Sequence, residues 1–404
     1  VTFPVIFGIY YLLSCRFGLL DYYSGGLMNN KTITVIHFVH TLYGGVANVA
    51  IGLINFQYTL GYKTILAYCH YDTAIESQLN HCCEKLEVHI PSYPGASMLF
   101  GMRVSEVYEE YLKTHRDEFV VVHVHNVQTL GSFGNWKSIP IICTLHGFNC
   151  PHRSIKKIFS DYLYKHTLKK LLKYNKRITS VSKAIVEADE CKNIRGRERI
   201  SVIHNFAQVD INKRTHQATF NVGHVGDLSY EKGWDTVWNA YALLPEKYRA
   251  KIRLYAAGKE ADYTGEWIRN EAQRIGSSNM VSYEGYIPNA KRDFISKLDL
   301  LVLASRNEGL GLVQIEAMGY GIPVLGRNTG GICEVLRDGY NGYVIIDEKD
   351  LSDRIMMLFE NHDLYANLSR NAIRTYQEKF TTEIIMKKYQ NIYDTVFNEY
   401  HMNN

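Results

Sequence analysis

From Lys31 onward, short runs dense in valine and isoleucine alternate with segments of helical periodicity, and the alternation runs its course twice. A strand, a helix and a further strand in that order require a crossover, which leaves the strands parallel and covered by helices on both faces. Runs at 33–39, 64–68, 119–125, 139–145, 178–182 and 200–203 form the first series, and runs at 220–225, 252–257, 280–283, 300–303, 323–326 and 343–346 form the second. Helical patterns lie between them, for example at 46–60, 234–244 and 312–320, and the chain closes in helix over 351–360, 364–379 and 382–400. The polar stretch Thr215-His216-Gln217-Ala218 separates the two series. The expected architecture is therefore α/β: a first doubly wound, Rossmann-like domain over 31–207, a linker over 208–218, a second such domain over 219–375 and a terminal helix over 376–404. A chain of 404 residues suits two such cores. Doubly wound sheets bind ligands outside the carboxyl ends of their strands, so two in tandem favour an enzyme of nucleotide or sugar chemistry.

Residues 1–30 stand apart as an extension. Their apolar run from Phe3 to Cys15 is interrupted by Arg16, short of the ~20 residues that a spanning helix needs. No small-residue cleavage site follows it. Met28 leads straight into the first strand and reads as a functional start, with 1–27 either a non-native addition or a short membrane-associating segment. The eight cysteines form no C-x-x-C pair and no zinc pattern, which suits reduced thiols in the cytoplasm. A net charge of +4 is too small to indicate a partner by itself.

The most informative stretch is Asn307-Glu308-Gly309-Leu310-Gly311-Leu312-Val313-Gln314-Ile315-Glu316. An apolar strand ends, a glycine loop follows, and a helix begins near Gly311. That order aims free backbone N–H groups and the positive end of a helix dipole at a phosphate. Carboxylates are poor phosphate partners but accept two hydroxyls at once, so Glu308 and Glu316 suit sugar rings on either side of a diphosphate. The bland reading is a glycine loop whose acidic residue merely suits the helix dipole. Three further glycine turns weigh against it. Gly226 to Gly233 follows the first strand of the second series and contains Lys232; Gly330-Gly331 opens a helix; Gly44-Gly45 follows the first strand of the chain. Each is weak singly, but four in that order are not.

The chain resembles the retaining glycosyltransferases of family 4, which have the GT-B fold of two facing Rossmann-like domains. Glu308 and Glu316 match the family's pair of glutamates separated by seven residues. Lys232-Gly233 matches its lysine-glycine, and Pro323-Val324 with Gly330-Gly331 matches its next turn. Gly44-Gly45, His146-Gly147 and Val202-Ile203-His204-Asn205 resemble further family segments, so the likeness runs from residue 31 to the end.

The resemblance implies a division of labour. Glu316 holds the ribose and Glu308 orients the transferred sugar. Lys232, with the amides of Gly311, Leu312 and Val313, stabilises the departing diphosphate. Gly45, Gly226 and Gly309 let backbone approach the donor, Tyr286 and Ile287 border the nucleobase, and His146 donates a hydrogen bond near the reacting sugar. It also implies a terminal helix that crosses back to the first domain. The donor is a nucleotide sugar, UDP- or GDP-linked, with no cofactor. With no Asp-x-Asp motif in the sequence, metal-independent transfer is expected. One departure stands out. The residue after Gly226 is usually arginine in this family and here is Asp227, whose carboxylate repels phosphate. Arg306 and Arg327 are candidate compensating cations. A catalytically impaired accessory protein that binds a sugar nucleotide or a partner transferase is the alternative reading.

Residues 152–177 are strongly basic, with Asp161 the one acid, and Ile155, Ile158, Phe159, Tyr162, Leu163, Leu168, Leu171 and Leu172 supply an apolar stripe. This reads either as an anionic-membrane element on the inner face of the plasma membrane, fitting a carbohydrate or polyprenyl-linked acceptor, or as a solvated helix packed on its own domain. No nucleic-acid recognition motif accompanies the charge. His37, His40, His123 and His125 lie in separate apolar strands without nearby carboxylates, and are read as core or cleft-lining residues with no metal.

Overall fold

The computed structural model describes residues 27–28, 31–42, 44–70, 78–79, 83–89, 100–125, 127–130, 136–147, 155–210, 219–287 and 294–401. Most of the expected 1–30 extension lies outside them, as does nearly all of the linker. Two sheets carry the fold.

The first contains β1 (Leu27–Met28), β2 (Lys31–Thr41), β3 (Lys63–His70), β4 (Glu84–Glu87), β5 (Phe119–Val124), β6 (Ile141–Leu145), β7 (Arg177–Ser180) and β8 (Ser201–Val202). Its order is β4-β3-β2-β5-β6-β7-β8, with β1 paired antiparallel to β2. β2 pairs in parallel with both β3 and β5. The second sheet contains β9 (Phe220–Val225), β10 (Ile252–Ala257), β11 (Val281–Tyr283), β12 (Leu300–Leu303), β13 (Val324–Arg327) and β14 (Gly342–Ile345), in the order β11-β10-β9-β12-β13-β14. All its pairings are parallel. Both sheets thus reverse direction beside their first long strand, the switch-point arrangement of doubly wound folds.

The strand runs read from sequence fall on these strands within two residues at each end. β1 and β4 were not anticipated. β4 has the sequence EKLE and is exposed along its length, so no apolar run marks it.

The described residues divide into two compact units: residues up to 144 with 162–177 and 393 onward, and residues 145–161 with 178–392. In the first unit, α1 (Gly44–Thr59) buries Ala47, Ala50, Ile51 and Ile54 against Val39 and Leu66. In α2 (Ile155–Lys173), Leu168, Leu171 and Leu172 are buried, Lys170 lies 4.4 Å from the Trp136 ring centroid, and the Lys176 ammonium donates to the carbonyls of Lys137 and Ile139. These three leucines are therefore core, Leu163 is half-buried, and among the described side chains of the helix Tyr162, His166, Lys169 and Lys173 are exposed. The end of α7 (Thr382–His401) belongs to this unit from Tyr393 onward, where Phe397 packs edge-on against Phe119.

In the second unit, Trp234, Val237, Trp238 and Tyr241 on α4 (Trp234–Leu243) join Leu254, Leu300 and Val302 in one core. Each large side chain buried in this cluster contributes roughly 1.5–3 kcal/mol.

Candidate active site

The switch point of the second sheet lies between β9 and β12, and the loops that leave these strands carry the charged residues. After β9 the chain turns through Gly226–Gly233 into α4. Gly233 is left-handed (φ 73°), and a Cβ there would lie 2.1 Å from the Ala304 carbonyl oxygen, so only glycine lets the two loops pack. That packing brings the Lys232 ammonium to the Glu308 carboxylate, a donated bond of 2.9 Å. Both side chains keep partial access to solvent.

After β12, Gly311 takes a left-handed conformation (φ 81°) as the N-cap of α5 (Leu312–Gly319), leaving the first amides of that helix without a side-chain cap. Glu316 follows in the second turn and is buried to 6% exposure. A Cβ on Gly309 would lie 2.4 Å from the His146 carbonyl oxygen, so this loop is pressed against the His146-Gly147 turn. Burial holds the His146 imidazole at a pKa of about 4, so the ring is neutral near pH 7 and acts as a hydrogen-bonding group rather than a cation.

Lys232, Glu308, Gly309, Gly311 and His146 therefore meet in one place, with Leu312, Val313 and Glu316 on the helix that starts there. Tyr286 and Ile287 lie beyond β11, where the Gly258 amide donates to the Gly285 carbonyl. Tyr286 is part-exposed, and the Lys259 ammonium stands 5.2 Å from its ring centroid. Gly45 is in the first unit, exposed in the first turn of α1, with open space where a side chain would project.

Two family descriptions match this chain: Glycosyltransferase Family 4 over residues 43–210, and Glycosyl transferases group 1 over residues 209–375. The chain belongs to the family 4, group 1 glycosyltransferases. This family 4 glycosyltransferase is 24% identical over 331 residues to the N-acetyl-alpha-D-glucosaminyl L-malate synthase of Bacillus anthracis, a match covering 76% of the chain and 81% of the relative. It is 25% identical to a 41.2 kDa protein of the cps region of Klebsiella pneumoniae, over 89% of the chain and 99% of that protein. The Anabaena HepE structure with UDP and glucose superposes with a TM-score of 0.69 at 18% identity, covering 89% of the chain and 99% of HepE, a likeness of fold that is GT-B.

In this glycosyltransferase Asp227 stands where the family usually has arginine, and its Oδ1 accepts the Lys259 backbone N–H at 3.3 Å. Of the two expected compensating cations, Arg306 proves to be committed elsewhere. Both its terminal nitrogens donate to Asp235 at 2.7 Å, and its guanidinium stacks on Tyr230 at 3.6 Å from the ring centroid. A bidentate pair of this kind already neutralises its charge. Arg327 donates to the Thr236 hydroxyl at 3.0 Å, and its Nε is buried without a hydrogen-bond partner.

Two residues of this glycosyltransferase escaped the sequence reading. Glu334, in the first turn of α6 (Ile332–Val335), accepts the backbone N–H groups of Lys183 and Ala184 at 2.9 and 2.8 Å and bonds His204 Nε2 at 3.0 Å. Burial alone would raise its pKa, but His204 and the two amides hold it below the usual carboxylate value. The other is His224 on β9, buried beneath the Gly226 turn beside Trp234. Burial, helped by the nearby Lys232 charge, lowers its pKa to about 4 against the opposing pull of the Asp227 and Val302 carbonyls. Glu334 had one visible signal, an acid just after Gly330-Gly331; His224 had none beyond a histidine in an apolar strand.

Proposed function

We propose that the chain transfers a glycosyl group, with retention, from a nucleotide sugar to a carbohydrate or polyprenyl-linked acceptor. The observation that carries this reading is the pairing of Lys232 with Glu308 at the switch point, beside the uncapped start of α5. A diphosphate seated there meets one ammonium and the amides of Gly311, Leu312 and Val313, which stabilise charge as the leaving group departs. Glu308, released from Lys232 by the incoming phosphate, accepts hydroxyls of the transferred sugar, and Glu316 holds the ribose. Tyr286 and Ile287 border the base. Neutral His146 donates a hydrogen bond near the reacting carbon.

In the step itself, the bond from the anomeric carbon to the phosphate oxygen breaks and a bond from the acceptor oxygen forms on the same face. The acceptor's proton passes to the departing phosphate oxygen. Electrostatic stabilisation by Lys232 and the amides suffices for this without a metal ion. UDP in the HepE structure and the cps region of the Klebsiella relative support a UDP-sugar donor and a role in surface polysaccharide or glycoconjugate assembly. Such an assembly places the chain on the cytoplasmic side of a membrane, reached through the exposed cations of the 152–177 segment. Among the described residues, no helix is long and apolar enough to cross one.

Donor hydrolysis and binding across UDP-, GDP- and ADP-sugars, for the wild type beside Glu316→Ala and Lys232→Ala, tests the reading. Turnover or tight binding of one donor, lost in both variants, supports it. Binding without turnover even with lipid-linked acceptors supports instead the accessory protein, a reading that Asp227 keeps open. No binding to any donor sinks both.

A further inference from the structure

The carboxyl half of the first sheet holds a cluster of side chains for which sugar transfer has no use. His37 on β2 is in register with His123 on β5, and His125 follows two residues later. A strand's period of two puts all three rings on one face of the sheet. They are buried to 0, 0 and 2% exposure, with ring centroids 4.3 to 5.3 Å apart. One nitrogen of each lies within 4.8 Å of the others, and His37 Nδ1 is 3.0 Å from His125 Nε2.

Oxygen atoms hold two of the rings from outside. Gln57 Oε1 is 2.7 Å from His37 Nε2, and a carbonyl oxygen only accepts, so the His37 proton sits on Nε2 and the Nδ1 lone pair faces His125. The Tyr393 hydroxyl lies 2.6 Å from His123 Nδ1; with that oxygen accepting, the Nε2 lone pair is left on the side of the Thr144 hydroxyl, 2.7 Å away. Imidazoles that bind metals are oriented in this way, their distal N–H held by a protein oxygen.

We propose that His37, His123 and His125 form a structural binding site for a divalent transition metal of the zinc class, joining β2 to β5. Three neutral imidazoles suit Zn2+ and disfavour Mg2+ and Ca2+, which take oxygen ligands. Zn–N bonds of about 2.0–2.1 Å in a tetrahedron place ligand nitrogens about 3.3 Å apart, close to the His37–His125 separation. His123 closes the set by a modest side-chain rotation, and the Thr144 hydroxyl or a water completes it. The site is independent of the donor reading, because its residues belong to the first unit and the Lys232–Glu308 loops to the second.

The test uses the full chain, stripped with chelator and then titrated with ZnCl2 against a chromophoric competitor and, separately, with CoCl2. The expected result is one equivalent of Zn2+, a raised Tm, and the visible ligand-field bands of tetrahedral Co2+. His123→Gln and His125→Gln lose the equivalent and the bands, while His166→Gln, on the exposed face of α2, keeps both. The wild type alone can overturn the proposal, whether or not the variants fold. Absence of stoichiometric Zn2+ and of cobalt bands leaves the cluster as a hydrogen-bonded network in which His37 and His125 share a proton. Metal retained at full stoichiometry by folded His123→Gln and His125→Gln places it elsewhere and overturns the site equally.

Discussion

Lys232 and Glu308, 76 residues apart in the chain, meet in an ion pair of 2.9 Å that spans the loops leaving β9 and β12. A part-exposed pair of this kind contributes about 0–1 kcal/mol to stability, so its role lies in what it does when a donor arrives. In the proposed reaction, phosphate draws the ammonium away and leaves the carboxylate for sugar hydroxyls. Glu308→Gln is therefore expected to bind UDP as tightly as the wild type or tighter, yet to transfer sugar about 100-fold more slowly. Lys232→Ala is expected to weaken UDP binding at least tenfold, and Tm should move little in either. Titration calorimetry with UDP and single-turnover assays read both effects. A Glu308→Gln protein that transfers at the wild-type rate removes Glu308 from the chemistry.

Asp227 stands directly after Gly226 in the loop that leaves β9. Its carboxylate is held by the Lys259 amide and adds negative charge beside the phosphate loop. Replacing it with arginine exchanges repulsion for attraction, which at ~4 Å near a protein surface amounts to a few kcal/mol before screening. Asp227→Arg should tighten UDP binding roughly tenfold at low salt, with most of the gain lost at high salt. Weaker binding with an unchanged Tm would mean that Asp227 itself holds the donor.

Helix α2 offers the clearest case for asking what sequence can tell. Its apolar stripe reads equally well as a membrane face or a core face, and the burial of Leu168, Leu171 and Leu172 shows that this part of it is core. Lys170 lies against Trp136, leaving Lys169 and Lys173 as exposed cations on the same helix. Any attraction to anionic lipid is then electrostatic, about 1 kcal/mol per nearby cation. The double variant Lys169→Glu, Lys173→Glu should lose flotation with vesicles of anionic lipid and retain its fold by circular dichroism. Equal flotation would rule out this face.

The strands were legible because a parallel strand buried on both faces is a continuous apolar run, and β9, β10 and β12 appear as such to the residue. β4 was not legible, since an exposed strand carries no such run. Lys232, Glu308 and Glu316 could be singled out from glycine turns and helix starts. What they pair with could not, because partners such as Glu334 with Lys183 and His204 are more than a hundred residues apart and meet only through sheet order and loop packing. The histidines at 37, 123 and 125 were visible in sequence and read as core or cleft-lining residues; that they meet was not, because the register of β2 against β5 places His37 beside His123 and no local pattern encodes it.

Glu334 ties two backbone amides and an imidazole to one carboxylate. Glu334→Ala removes the acceptor shared by these exposed and part-buried donors and should cost about 0.5–1.5 kcal/mol. Its pKa in the folded protein is lowered, so its contribution is present above the unfolded value and is lost as pH falls through the lower, folded one. The difference between wild type and Glu334→Ala in urea unfolding should accordingly be full at pH 7 and shrink below about pH 4. A difference that stays constant down to pH 3 would show that the carboxylate charge is not what holds these segments.

His224 works in the opposite pH range. It is buried, and its folded pKa of about 4 lies below the unfolded value of about 6.5. Between those values the unfolded chain binds a proton that the folded chain refuses, so stability falls as pH drops from about 6.5 toward 4 and then levels off. The full displacement corresponds to at most about 3 kcal/mol. His224→Asn keeps a polar side chain of smaller volume but removes the titration. Its unfolding free energy should sit below that of the wild type at pH 7.5 and converge with it near pH 5. Because the Lys232 charge adds to the depression, Lys232→Met should raise the folded His224 pKa, so that the decline still begins near pH 6.5 but levels off at a higher pH and is smaller than in the wild type. Parallel pH profiles for all three proteins would show that His224 is not the group responsible.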